Sequence, residues 1–111
     1  MEIKKDGGEA FFAHLDVTKE SDWEKVILDT ISRFGKLDVL VNNAGGIIRR
    51  ALLGDLDPEL IAETLQLNFT SVVLLCQALV PVMVENGGGK VINISSIAGH
   101  NGGAPTTPHY G

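Results

Sequence analysis

Residues 37–46 read LDVLVNNAGG. Leu37, Val39, Leu40 and Val41 form a near-continuous apolar run, the pattern of a parallel strand covered on both faces rather than one with a wet side. The run ends on Asn42 and Asn43 and then on Ala44, Gly45 and Gly46, so the strand leaves into a turn whose backbone carries little bulk. A strand of this kind needs helical crossovers to bring its neighbours alongside. The flanking sequence supplies them.

Upstream, Ser21-Asp22-Trp23-Glu24 fits the S-x-x-E capping box, and Val26, Ile27, Thr30, Ile31 and Phe34 follow at three-to-four spacing up to Gly35. That pattern predicts a helix over about 21–34, begun by reciprocal capping and ended by a left-handed glycine. Before it, residues 10–17, AFFAHLDV, read as a second strand. Downstream, Asp57-Pro58 offers a capping carboxylate followed by proline at the first helical position. The helix predicted from there, 58–84, carries Ile61, Leu65, Asn68, Val72, Leu75 and Leu79 on one face, with Asn68 as its polar intruder. Pro81 should kink it or end its regular part. Asn86-Gly87-Gly88-Gly89 then turns the chain into a third strand, KVINIS at 90–95. The order strand, helix, strand, helix, strand places the chain in the α/β class, a parallel sheet with right-handed crossovers.

Composition narrows the partners. The 111 residues are 44% hydrophobic and 21% charged, which places the chain with globular domains and away from disorder. Nine Lys plus Arg against fourteen Asp plus Glu give a net charge of −5, without the basic footprint that a phosphate backbone requires, so nucleic acid is not an expected partner. The longest mostly apolar stretch, 72–84, is shorter than the roughly 18 to 20 residues of a bilayer span, so no membrane segment is expected. Residues 1–10, MEIKKDGGEA, contain no apolar core of a secretory signal, and Cys76 is the sole cysteine. A reducing cytoplasm is the expected setting. His14, His100 and His109 show no metal-ligand spacing, and no metal site is expected.

In open α/β sheets ligands bind beyond the carboxyl ends of the strands. The segments there are Asp16-Val17-Thr18, Asn42 to Gly46 and Ser95-Ser96, all small or polar. Ser96 and Tyr110 are two hydroxyls of the kind that hold and protonate a carbonyl oxygen as it becomes an alkoxide. Each also has a plainer reading. Ser96 can simply cap a turn, Tyr110 can be a surface aromatic, and Asn68 can be an amide that fixes helix packing.

The ordered set Asp16-Val17-Thr18, Asn42-Asn43-Ala44-Gly45, Asn68, Asn93-Ile94-Ser95-Ser96 and Tyr110-Gly111 resembles the short-chain dehydrogenase/reductase family, including its 3-oxoacyl-acyl-carrier-protein-reductase-like members. The separations strengthen the resemblance, which covers nearly the whole chain: 25 residues from Asn43 to Asn68, 28 on to Ser96 and 14 on to Tyr110. It implies an oxidoreductase that passes a hydride between NAD or NADP and a small-molecule ketone or secondary alcohol. Tyr110 would be the general acid and base, Ser96 would polarise the substrate oxygen, and Asn68 would position a relay water. Asp16 and Val17 would contact the adenine, while Asn43, Ala44 and Gly45 would line the adenosine ribose.

The same resemblance places residues 1–111 as part of one NAD(P)-binding Rossmann-type domain, a doubly wound parallel sheet represented by three strands and two main helices. Its first two strands and C-terminal part have no counterpart in this sequence. The glycine-rich phosphate turn is not matched, and the family's lysine would fall at position 114. A free phenol titrates near ~10, so without that lysine the 111-residue chain is expected to be inactive alone. It is also expected to be marginally stable, with the sheet face away from the helices open to water. The family commonly oligomerises through the helix matching 58–84, which makes a homo-oligomer the expected state of the intact protein. A truncated chain or a non-catalytic oligomerisation module is the competing reading.

Overall fold

A computed structural model describes residues 2–111. Helix α1 (Glu2–Lys5) precedes α2 (Glu20–Phe34), strand β1 (Val39–Asn42), a 3-10 turn at Leu53–Asp55 and α3 (Pro58–Leu65). A π-helical turn, Gln66–Thr70, joins α3 to α4 (Ser71–Glu85), and β2 (Lys90–Asn93) and the short α5 (Ala98–Asn101) follow. The fold class is α/β, as expected. β1 and β2 pair in parallel, Val39 opposite Lys90 through Asn42 opposite Asn93, with the long helix as the crossover.

The strand expected at residues 10–17 does not form. Residues 10–16 have no regular structure and Val17 opens a turn, so the segment joins no ladder; in a doubly wound sheet two further strands would stand between it and β1. The segment is held instead by side chains. Phe11 stacks on Phe34 with ring centroids 6.0 Å apart, the Arg33 guanidinium lies 4.2 Å from the Phe11 ring centre, and Val17 packs on the core.

The capping box is also absent. Helix α2 starts at Glu20 with Lys19 as an uncapped, extended N-cap, so Ser21 lies inside the first turn. The turn before it explains the early start: the Lys19 N–H bonds the Asp16 carbonyl at 2.9 Å, and the Asp22 carboxylate accepts from the Asp16 N–H at 3.0 Å. At the other end Gly35, with φ of 83°, closes the helix through its N–H to the Ile31 carbonyl, as expected from the glycine's position.

Asp57 caps α3 as predicted, its Oδ1 accepting from the Leu60 N–H at 2.7 Å with Pro58 at the first turn. Its Oδ2 accepts from Arg49 Nη2, also at 2.7 Å. The Leu60 N–H, and then the Arg49 guanidinium, hold the Asp57 carboxyl below its usual value of 3.8. A lowered folded pKa means that this stabilisation is present above about pH 3.8 and is lost as pH falls through the folded value. Asp57→Asn should therefore flatten the acid limb of a helicity titration followed by circular dichroism. An unchanged limb would show that the cap carries none of it.

The π-turn shifts the buried face of the helix. On α4 the inward residues are Ser71, Leu75, Leu79 and Met83, and Leu75 and Leu79 belong to the expected stripe. On α3 they are Leu60 and Thr64, one position before the expected Ile61 and Leu65, which are exposed. The wide turn contains one extra residue, shown by the Ser71 N–H reaching back five residues to the Gln66 carbonyl. An extra residue moves every inward position before it by one. Pro81 does not end the helix, which runs on to Glu85.

The core joins Trp23 of α2 to Leu75 and Leu79 of α4, with Val17, Ile27, Leu37 and Leu40 packed around them. Both helices cover one face of the sheet, and Val39 and Val41 on the other face are exposed. Counted through the π-turn, the continuous helix from Pro58 to Glu85 is 28 residues, long and apolar enough to cross a membrane by length and composition. The apolar stretch thus extends well before residue 72, but the core helix of a soluble protein can have the same length and composition, and Leu60, Leu75, Leu79 and Met83 of this helix are buried inside the fold.

Candidate active site

Beyond the carboxyl ends of β1 and β2 lies an open cleft of about 590 Å³ whose lining includes Asn42, Asn68, Cys76, Asn93, Ser96 and Tyr110. The three residues singled out for chemistry, Asn68, Ser96 and Tyr110, thus share one space although Asn68 and Tyr110 are 42 positions apart in the chain.

The two strand ends are tied first. Asn42 is buried, and its Nδ2 donates to Asn93 Oδ1 at 2.8 Å and to Cys76 Sγ at 3.7 Å. The Ile94 N–H continues the ladder to the Asn42 carbonyl at 3.0 Å. This side-chain pair pins the strand exits side by side. Cys76 serves as a half-buried acceptor on the helix.

Asn68 sits in the π-turn and clamps the loop after β1. Its Oδ1 accepts from the Gly46 N–H at 2.8 Å, and its Nδ2 donates to the Gly46 carbonyl at 2.9 Å and to the Thr64 carbonyl at 3.0 Å. Both amide protons are therefore committed, and only a remaining Oδ1 lone pair could accept from a water. The wide turn is what lets the side chain reach back to Thr64 while facing the loop. Gly45 is packed under this amide, where a methyl group would lie 2.6 Å from Asn68 Oδ1.

Ser96 does cap a turn: its Oγ accepts from the Ala98 N–H at 3.1 Å. That bond uses a lone pair and leaves the hydroxyl proton available as a donor toward the cleft, so the cap and the catalytic-type role are compatible. Tyr110 is half-buried in the turn that follows, with its N–H bonded to the Thr107 carbonyl at 3.1 Å.

The residues expected to meet a nucleotide gather elsewhere. Val17, Asn43 and Ala44 line a second, smaller cavity of about 150 Å³ between α2, β1 and α4. Asp16 and Gly45 lie outside its lining, Asp16 in its own turn and Gly45 toward Asn68. Asp16 Oδ1 accepts from the Thr18 hydroxyl at 2.6 Å and the Thr18 N–H at 3.0 Å. These two bonds, the hydroxyl first, hold the Asp16 carboxyl below its usual value. Asp16 stays ionised at neutral pH, with Oδ2 left over as an acceptor.

A family profile described as short chain dehydrogenase matches residues 1–111. The chain belongs to this family. Among curated short-chain dehydrogenases it is 46% identical over 90 residues to trans-4-hydroxycyclohexanecarboxylate dehydrogenase of Sinomonas cyclohexanicum, a match covering 81% of this chain and 34% of that one. It is 37% identical over 100 residues to 7alpha-hydroxysteroid dehydrogenase of Escherichia coli K12, covering 90% and 38%. A solved structure of 7 alpha-hydroxysteroid dehydrogenase complexed with NADH and 7-oxo glycochenodeoxycholic acid superposes with a TM-score of 0.87 at 35% identity, over 98% of this chain and 42% of that one. An NADH-dependent reductase complexed with NAD superposes equally well at 28% identity, over 98% and 47%. The chain thus spans roughly a third to a half of the length of the relatives it matches. Those superpositions confirm the Rossmann-type short-chain dehydrogenase fold for the described elements.

What sequence reasoning missed is the anchoring of Tyr110. The segment 49–51, which carried no motif, binds the segment before the tyrosine through backbone and side-chain bonds. Its two arginines were the available signal, but an arginine pair in a loop has no partner until the fold supplies one.

Proposed function

We propose that residues 1–111 carry part of an NAD(P)-binding domain of an oxidoreductase acting on a small-molecule ketone or secondary alcohol. The observation that carries this reading is the meeting of Asn68, Ser96 and Tyr110 on one cleft at the strand ends of a short-chain dehydrogenase. The relatives' names include a hydroxycyclohexane acid, a hydroxysteroid and a 3-oxoacyl chain, all carrying oxygen on a carbon of the same oxidation pair.

The residues present fit the adenosine end of the cofactor. Asp16 Oδ2, free of the bonds to Thr18, and the adjoining Val17 would meet the adenine, and the small-residue turn Asn43 to Gly45 would offer a low wall for the ribose. NAD or NADP, when bound, accepts or supplies the hydride. The protein's part is to hold the substrate oxygen and move its proton. The Ser96 hydroxyl, oriented by its bond from Ala98, donates to the substrate oxygen and stabilises charge developing there. Tyr110 gives that oxygen a proton in reduction and takes it back in oxidation. Asn68 keeps the Gly46 loop in place and offers Oδ1 to a relay water.

A second part of the reading concerns assembly. Ile61, Leu65, Phe69, Val73, Val80 and Val84 are all exposed on the long helix, which favours pairing with a second copy. A cytoplasmic setting, in which Cys76 stays a thiol, suits the whole.

The test is calorimetric titration of NADH and NADPH into the purified chain, with the particle mass measured at the same concentrations. Saturable binding at micromolar cofactor supports the reading. Where turnover of a cyclic secondary alcohol is detected, Tyr110→Phe should reduce it at least a hundredfold, consistent with the ~10²–10⁴ typical of general acid-base groups. Turnover that survives the substitution sinks the assignment of Tyr110.

A further inference from the structure

The segment that ends in Tyr110 is held by bonds from three consecutive residues. The Ala51 N–H donates to the Thr106 carbonyl at 2.8 Å, Arg50 Nη1 donates to Thr106 Oγ1 at 3.3 Å, and His109 Nε2 donates to the Arg49 carbonyl at 2.9 Å. A carbonyl only accepts, so the bond places the imidazole proton on Nε2. Nδ1 is buried without a hydrogen-bond partner among the described residues. The ring is therefore committed to a single orientation by one strong bond.

Arg49 is itself fixed. Its Nη2 lies 2.7 Å from Asp57 Oδ2, and Asp57 caps α3. A line of direct contacts thus runs from the start of the long helix through Asp57, Arg49 and His109 to the residue bonded to Tyr110. The bonds at Thr106 lie four residues before the tyrosine, whereas His109 adjoins it. Pro108 stiffens the link between them.

We propose that His109 is a positioning residue for Tyr110: its Nε2–H bond to the Arg49 carbonyl sets where the phenol enters the cleft beside Ser96. The catalytic meaning of this rests on the reading of Tyr110 as the acid-base group. The placement itself does not, and it can be measured without cofactor or turnover.

The chain contains one tyrosine and one tryptophan, so ring-¹³C-labelled Tyr and ¹⁵N-labelled Trp each give an NMR signal from a single residue. In His109→Leu the Tyr110 ring resonances should move to the positions of free tyrosine, while the Trp23 indole signal from the core stays in place. His109→Gln places an amide N–H where Nε2 was and should restore the native Tyr110 signals. His109→Asn, one carbon shorter, should not. Native Tyr110 signals in the Leu variant overturn the proposal, as does identical behaviour of Gln and Asn. If the Leu variant also loses the Trp23 signal, the Gln and Asn pair decides alone. A chain that binds no NADH yet shows this pattern loses the functional reading and keeps the latch. The reverse outcome keeps the function and removes the latch.

Discussion

Leu79→Ala should abolish cooperative folding of the 111-residue chain or lower its urea midpoint by more than any other single truncation. Leu79 is 2% exposed and forms the core with Trp23 and Leu75. Removing a buried leucine costs about 2–5 kcal/mol, made of lost transfer energy and the cavity left behind. Domains of this size are stable by only ~5–15 kcal/mol in total. Here the core is small and one face of the sheet is open, so the loss falls on little reserve. Trp23, the sole tryptophan, touches the same cluster and reports unfolding by its fluorescence. Leu28, 68% exposed on α2, is the control, and its change to alanine should fall within about 0.5 kcal/mol. Equal effects at the two positions would mean that the described core does not hold the chain together.

The second large effect is expected at Gly45. Any side chain there begins 2.6 Å from Asn68 Oδ1, well inside contact distance. The amide would have to swing away and release both the N–H and the carbonyl of Gly46. Gly45→Ala should cost about 1–3 kcal/mol as an overpacking change, and cofactor binding, where present, should fall with it. Asn68→Ala should cost a similar ~1–3 kcal/mol, because it leaves backbone groups unpaired. Together the two should cost less than their sum, since the second removes the obstacle that the first meets. Thermal melts of the four proteins of this cycle give the coupling. Strict additivity would show that glycine at 45 has nothing to do with the amide.

Much of the fold was legible because local chemistry and tertiary structure agree in those places. Asp57-Pro58 begins a helix and Gly35 ends one, for reasons contained within a few residues. The runs LDVLVN and KVINIS become the paired strands. Other elements depended on partners that the local sequence does not specify. Residues 10–17 have strand composition but no neighbour to bond. Ser21 and Glu24 had the right spacing, yet the Asp16 turn started the helix one residue sooner and drew Asp22 into a different bond. The stripe on the long helix was assigned at constant pitch, and the π-turn broke that assumption midway.

The site divides in the same manner. Ordered motifs picked out Asn68, Ser96 and Tyr110 before any geometry was known, because the side-chain types and separations are distinctive. The bonds from residues 49–51 to residues 106–109 were invisible, since a backbone carbonyl accepting from histidine leaves no trace in residue identity at the acceptor.

The wide turn at Gln66–Thr70 has one more consequence. It divides a single rod into two halves whose rotational phases are set separately, the later half by the sheet and the earlier half by the loop that ends at Asp57. Deleting one residue there would restore an even pitch and leave Leu60, Thr64, Leu75 and Leu79 all facing inward, whereas tightening the turn with every residue kept would bring Ile61 and Leu65 inward in place of Leu60 and Thr64. The turn acts as a phase shifter, so that the end of the helix that grips the cleft loop can be re-aimed while the end that builds the core stays still.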